Sequence, residues 1–246
     1  MPDALWRGDA MGSYRVGGRA SGYAALDKEL PGGGWPPSTL TELLWPQPGD
    51  GEFRLLAPVL SELAAARESI VLLAPPHGVF APALAQAGID IRQLLLIQSE
   101  KPGDRLWAVE QVLKSASFGA LLCWLPQARP DHLRRLQLAA GAGEGLVFVF
   151  RSAAAQQESS PSPLRLLCRA APAGRISVDV FKRRGPRAAA PVVVETRLPL
   201  SLERALARRA GASVPLSATL PVEPPRVVDR PLPAALAAGP GLSSLA

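Results

Sequence analysis

An α/β fold built on a mostly parallel sheet is predicted by three features of the 246-residue sequence. From residue 40 to residue 152, short apolar runs of about four to eight residues alternate with helical patterns, the rhythm of βαβ units. Some of these runs, such as "SIVLLAP" at 69–75, are apolar throughout, as strands covered on both faces are. Past residue 164 the texture changes. Two alternating segments, "ISVDVFKR" and "VVVETRL", flank the basic turn "RRGPRA", which predicts an antiparallel hairpin appended to the sheet.

The elements follow in order. Residues 1–20 mix glycine, arginine and isolated apolar residues and read as a lead-in segment tethered by Leu5 and Trp6. A short helix over Tyr23–Leu30 ends in glycines that permit positive φ. "LTELLW" (40–45) is a strand, and 52–67 a helix with Phe53, Leu56, Leu60 and Leu63 on one stripe. Strands at 69–75, 94–98, 119–126 and 145–152 alternate with helices at 81–88, 103–116 and 130–143. Residues 21–200 form the domain so predicted, and 201–246 hold one more helix and a proline-rich tail without a period, expected to be extended or disordered.

Composition narrows the function classes. Hydrophobic residues make up 48% and charged residues 20%, which suits a packed core, while 26 prolines mark loops and tails. The net charge of +6 favours a polyanionic partner through long-range attraction. Cys123 and Cys168 lie in apolar runs with no CxxC spacing, so neither a zinc site nor a disulfide framework is expected. The N-terminus has no basic segment leading into an apolar stretch, and no run is long enough to span a bilayer, so a cytoplasmic protein is expected.

"ELLWPQPGDGEFRLL" (42–56) occupies the place of a phosphate loop, after a strand and before a helix. A working loop reads GxxxxGK[ST], with a lysine for the transferred phosphates and a hydroxyl for magnesium. Here Gly49 and Gly51 are followed by Glu52, Phe53 and Arg54, so a carboxylate and a ring replace the cation and the hydroxyl. Arg54 is the one substitute cation nearby, and Glu52 reads as a stabiliser of the helix N-terminus. "GALLCWLP" ends without an aspartate. No nucleotide, metal or other cofactor is therefore expected, and no catalytic residue: His77 and His132 lack partners at ligand spacing.

The sequence "SGYAALDKELPGGGWPPSTLTELLWPQPGDGE", followed by "GDRLWAVEQVLKSASFGALLCWLP" and "GLVFVFRS", resembles the RecA core. With "WRGDA" near the N-terminus, "GGGWP" and "LTELL", it is similar to the ImuA family of RecA-like accessory proteins in bacterial mutagenic translesion synthesis. The resemblance implies a RecA-like three-layer fold and a non-catalytic adaptor. Its partners would be an ImuB-type protein of the Y-family polymerase kind, an error-prone DnaE-type polymerase through that complex, RecA, and single-stranded DNA. A SulA-like inhibitor of cell division is the alternative, being similar in its shortened RecA-like domain that binds the polymerising division protein. The longer chain, basic hairpin and tail argue against it.

Two groups of surface residues are candidates under the adaptor reading. Residues 151–169 occupy the place of a RecA-like DNA-binding loop, small, polar and flexible, where Arg151 and Arg165 could meet phosphates alongside Lys182, Arg183, Arg184 and Arg187 of the hairpin. The plainer role for the hairpin is a charged edge that resists aggregation. Trp6 and the apolar tail residues Leu216, Leu220 and Val227 are the candidate partner-docking positions.

Overall fold

A computed structural model of the chain describes residues 17–186, 188 and 190–196. Within them one eight-stranded sheet is formed by β1 (Leu40–Trp45), β2 (Ile70–Leu73), β3 (Leu94–Ile97), β4 (Ala120–Trp124), β5 (Leu146–Ser152), β6 (Leu164–Ala170), β7 (Arg175–Lys182) and β8 (Val192–Glu195). Their order across the sheet is β3-β2-β4-β5-β1-β6-β7-β8. The first six are mutually parallel, and β7 and β8 continue the sheet antiparallel, so the predicted fold class and hairpin are both present.

The layers follow from the two-residue period of the strands. On one face Leu43, Leu72, Leu122 and Phe148 meet α1 (Ala24–Asp27), α2 (Glu52–Ala65) and α3 (Ala81–Gln86). On the other, Val71, Leu121, Val147 and Val149 meet Val109 and Leu113 of α4 (Pro102–Ser115) and Leu133 and Leu136 of α5 (Pro130–Ala140). Helices thus cover both faces of β2, β4 and β5, as their unbroken apolar runs require, while the edge strand β3 leaves Leu95 and Leu96 exposed. Leu55 and Val59 join Leu56, Leu60 and Leu63 in the core face of α2, whereas Phe53 is only half-buried.

Several expectations need correction. The helix expected over Tyr23–Leu30 shortens to Ala24–Asp27. Most helical prolines stand in first turns, at Pro82, Pro102 and Pro130, where no hydrogen bond is lost. Pro58, however, lies inside α2. It has no N–H to give the Arg54 carbonyl four residues earlier, and the Tyr23 hydroxyl donates to that carbonyl instead, at 2.9 Å. Strand β6 was not foreseen, and it pairs parallel with β1 and antiparallel with β7. Its residues Leu164–Cys168 are buried on both faces, which removes the alternation that reveals a strand. The predicted C-terminal helix and tail lie outside the described residues.

Candidate functional site

The turn between β1 and α2 places Gly49 at φ 92° and Gly51 at φ 149°, backbone conformations that only glycine adopts without strain. Their N–H groups converge at the N-terminus of α2, an arrangement suited to an anion. Glu52, the first residue of α2, supplies that anion from within the chain. Its carboxylate accepts from Gly49 N–H at 2.9 and 3.0 Å and from Gly51 N–H at 3.2 Å, and the side chain is buried. The helix dipole and these donors together offset its charge.

The neighbouring residues supply neither the lysine nor the magnesium-holding carboxylate of a working phosphate loop. Phe53 packs at 5.9 Å on Trp124, which stacks at 4.5 Å on Phe150, so the end of β4 carries rings where a carboxylate would be needed to hold magnesium. Arg54 donates through Nη2 to the Asp50 carbonyl at 2.9 Å. His77 Nε2 lies 3.3 Å from the Pro48 carbonyl oxygen and is exposed. A phosphate entering the turn would have to expel a carboxylate that already holds its N–H groups. The expected result is no magnesium-dependent ATP hydrolysis above the background of a Glu52→Ala variant; turnover abolished by this substitution would overturn the assignment.

The arginines expected to meet nucleic acid turn inward. Arg151 and Arg165 are each 4% exposed and flank Glu42, which is fully buried in the middle of β1. Arg151 Nη1 donates to Glu42 Oε2 at 3.2 Å, and its Nη2 to Glu158 Oε2 at 2.6 Å and the Ala128 carbonyl at 2.8 Å. Arg165 Nε stands 3.4 Å from Glu42 Oε2, while its Nη groups donate to the carbonyls of Ala155 at 2.7 Å and Glu158 at 3.1 Å. Its guanidinium also lies 4.9 Å from the centre of the Phe181 ring. The Ser160 hydroxyl donates to the other oxygen of Glu42.

Of residues 151–169, expected to be a flexible loop, 151–152 end β5 and 164–169 belong to β6, and the stretch between them is fastened to the sheet through β1, β5 and β6. This is a correction with a clear cause: two buried guanidinium groups need acceptors, and the loop provides the Ala155 and Glu158 carbonyls to Arg165 and the Glu158 carboxylate to Arg151. The hairpin is spent in part as well. Lys182 Nζ donates to the Ser160 carbonyl at 2.6 Å, and burial, followed by the nearby Arg165 charge, holds its pKa below the usual lysine value. Arg183 pairs with Glu29 at 2.8 Å. Arg184 is exposed, and Arg187, Trp6, Leu216, Leu220 and Val227 lie outside the described residues.

Glu42 was missed at the sequence level. Its signal was a lone carboxylate inside "LTELLW", a run otherwise too apolar to leave it in water. Burial raises the Cys123 thiol to about 12 and that of Cys168 further, aided there by the Glu52 charge, so both remain protonated and unreactive. Among the described residues there is no metal-ligand cluster, and no helix is long and apolar enough to cross a membrane.

Comparison with known proteins adds an independent finding. Residues 40–147, from β1 to the start of β5, match the family model for the cell division inhibitor SulA. Proteins described as cell division inhibitor SulA from Yersinia pestis (strain Pestoides F) and Yersinia pseudotuberculosis serotype O:1b (strain IP 31758) are 30% identical over 98 residues. The alignment covers 40% of this chain and 58% of each relative, less than two thirds of their length. The chain is SulA-like over this stretch, and the expected assignment to translesion synthesis and mutagenesis is corrected accordingly. The hairpin and tail that argued against SulA lie outside the matched residues and do not weigh against the similarity.

Proposed function

We propose that the chain is a non-catalytic protein-binding module that inhibits cell division, as the name of its relatives states of them, by engaging the polymerising division protein. The distribution of exposed apolar side chains supports this most directly. Of the seven large hydrophobic residues exposed among the described residues, six, namely Phe80, Ile91, Leu95, Leu96, Trp107 and Leu138, fall within the matched stretch. Trp107 on α4 and Leu138 on α5 are 65% and 76% exposed, and a salt bridge of 2.6 Å between Glu110 and Arg135 ties their two helices together. Exposed apolar groups held on rigid helices cost solvation in the free protein and are recovered at an interface.

Expression of the chain in a rod-shaped bacterium should block septation and produce filaments, and the purified chain should reduce the division polymer recovered by sedimentation. Trp107→Ala with Leu138→Ala should weaken both effects by about tenfold or more, the loss typical of aromatic anchors, without altering the thermal midpoint. Normal division and unchanged polymer yield in the presence of the wild-type chain would overturn the reading.

A further inference from the structure

A cavity of about 770 Å3 opens beside the first turns of α2, between that helix, α3 and residues 75–80. Tyr23, Phe53, Phe80 and Trp124 contribute rings to its wall, and Pro58 and Pro76 add rigid apolar surface. Its volume is that of a small-molecule site. It also lies past the C-terminal ends of β1, β2 and β4, the side on which open parallel sheets take ligands.

The charge in this lining is unbalanced in one place. Among the described residues Arg54 is the only arginine or lysine of the lining, and it stands in the first turn of α2, the positive end of the helix, where a cation is disfavoured. Among the described residues no carboxylate pairs with it. One N–H goes to the Asp50 carbonyl at 2.9 Å, and a guanidinium has five. Two carboxylates share the lining, and neither neutralises it: Glu52 is committed to Gly49 and Gly51, and Glu195 is exposed at the end of β8, where water screens it. His77 is turned to the Pro48 carbonyl. A half-buried cation beside four aromatic rings is complementary to an acid group on an apolar body.

We propose that this cavity binds a small carboxylate with an aromatic body, its acid group on Arg54 and its ring among Tyr23, Phe53, Phe80 and Trp124. Phosphates are poor ligands for the same site, because Glu52 holds the N–H groups of the turn and a bare phosphate offers nothing to the rings. The inference shares Phe80 with the surface cited for the division-inhibitor reading, but its test is separate, because that reading is tested on α4 and α5.

The test is titration of the full chain with 2-naphthoate, followed by calorimetry and by amide chemical shifts, beside its uncharged counterpart 2-naphthamide and inorganic phosphate. At about 0.3 kcal/mol per heavy atom, naphthoate should bind with a Kd near or below about 1 mM. The amide and phosphate should each bind at least about tenfold more weakly, a difference set by the charged hydrogen bonds. Arg54→Gln should remove the preference for acid over amide. Ala83→Trp, which fills the cavity from α3, should abolish binding of both while leaving the chain folded. Equal affinity for acid and amide, an acid preference that survives Arg54→Gln, or naphthoate binding unaffected by Ala83→Trp would each overturn the proposal, as would no naphthoate binding at all.

Discussion

Glu42→Leu should lower the stability of the protein by about 3–5 kcal/mol, the loss expected when one member of a buried ion-pair network is removed and its partners remain. The substitution fills the space with apolar atoms of similar size, so a cavity is not the cause. It leaves Arg151 and Arg165, each 4% exposed, facing one another without the carboxylate that lies between them. The Ser160 hydroxyl loses its acceptor at the same time. Chemical denaturation followed by circular dichroism measures the loss. Replacing all three charges, as Glu42→Leu with Arg151→Met and Arg165→Met, should recover most of it, since a buried network exchanged whole for apolar side chains is often neutral. A loss under about 1 kcal/mol in the single variant would mean that Glu158 and the carbonyls of Ala128 and Ala155, rather than Glu42, satisfy the two guanidinium groups.

Gly22→Ala is the second substitution with a large expected effect. Gly22 has φ 85°, and an added Cβ would stand 2.4 Å from Pro58 Cβ and 2.9 Å from Pro58 Cγ. The left-handed backbone and the forced displacement of a rigid ring together cost about 2–4 kcal/mol. The displacement matters beyond its own strain, because the adjacent Tyr23 hydroxyl must reach the Arg54 carbonyl that Pro58 leaves without a donor. A shift of Gly22 away from α2 carries that hydroxyl with it. The expected sign is therefore a lowered thermal midpoint, and an unchanged midpoint would show that the segment before α1 yields without loss.

The alternation of apolar strands and amphipathic helices determined the mostly parallel α/β sheet from sequence alone, because the faces of each element are set by local periods of 2.0 and 3.6 residues, and the RecA-like resemblance implied its three layers. Strand β1 and the start of α2 were legible to the residue, at Leu40–Trp45 and Glu52. So was the absence of a lysine after Gly51, since that chemistry depends on residue identity at one position. The role of Glu52 as an anion for its own turn was legible only in outline: the sequence placed a carboxylate at a helix N-terminus, and the backbone geometry decided which N–H groups it would take.

Strand β6, the inward turn of Arg151 and Arg165, and the cavity beside Arg54 were decided by tertiary structure. Each depends on residues far apart in sequence: Glu42 lies 109 residues from its partner Arg151 and 118 from Ser160. An arginine reads as a surface cation until a distant carboxylate is brought beside it. The burial of β6 likewise arises from pairing with β1 and β7 on its two sides, which a run of seven residues does not encode locally. Local periodicity acts along the chain, whereas charge pairing and cavities arise between elements, and their energies exist only once the sheet has brought those elements together.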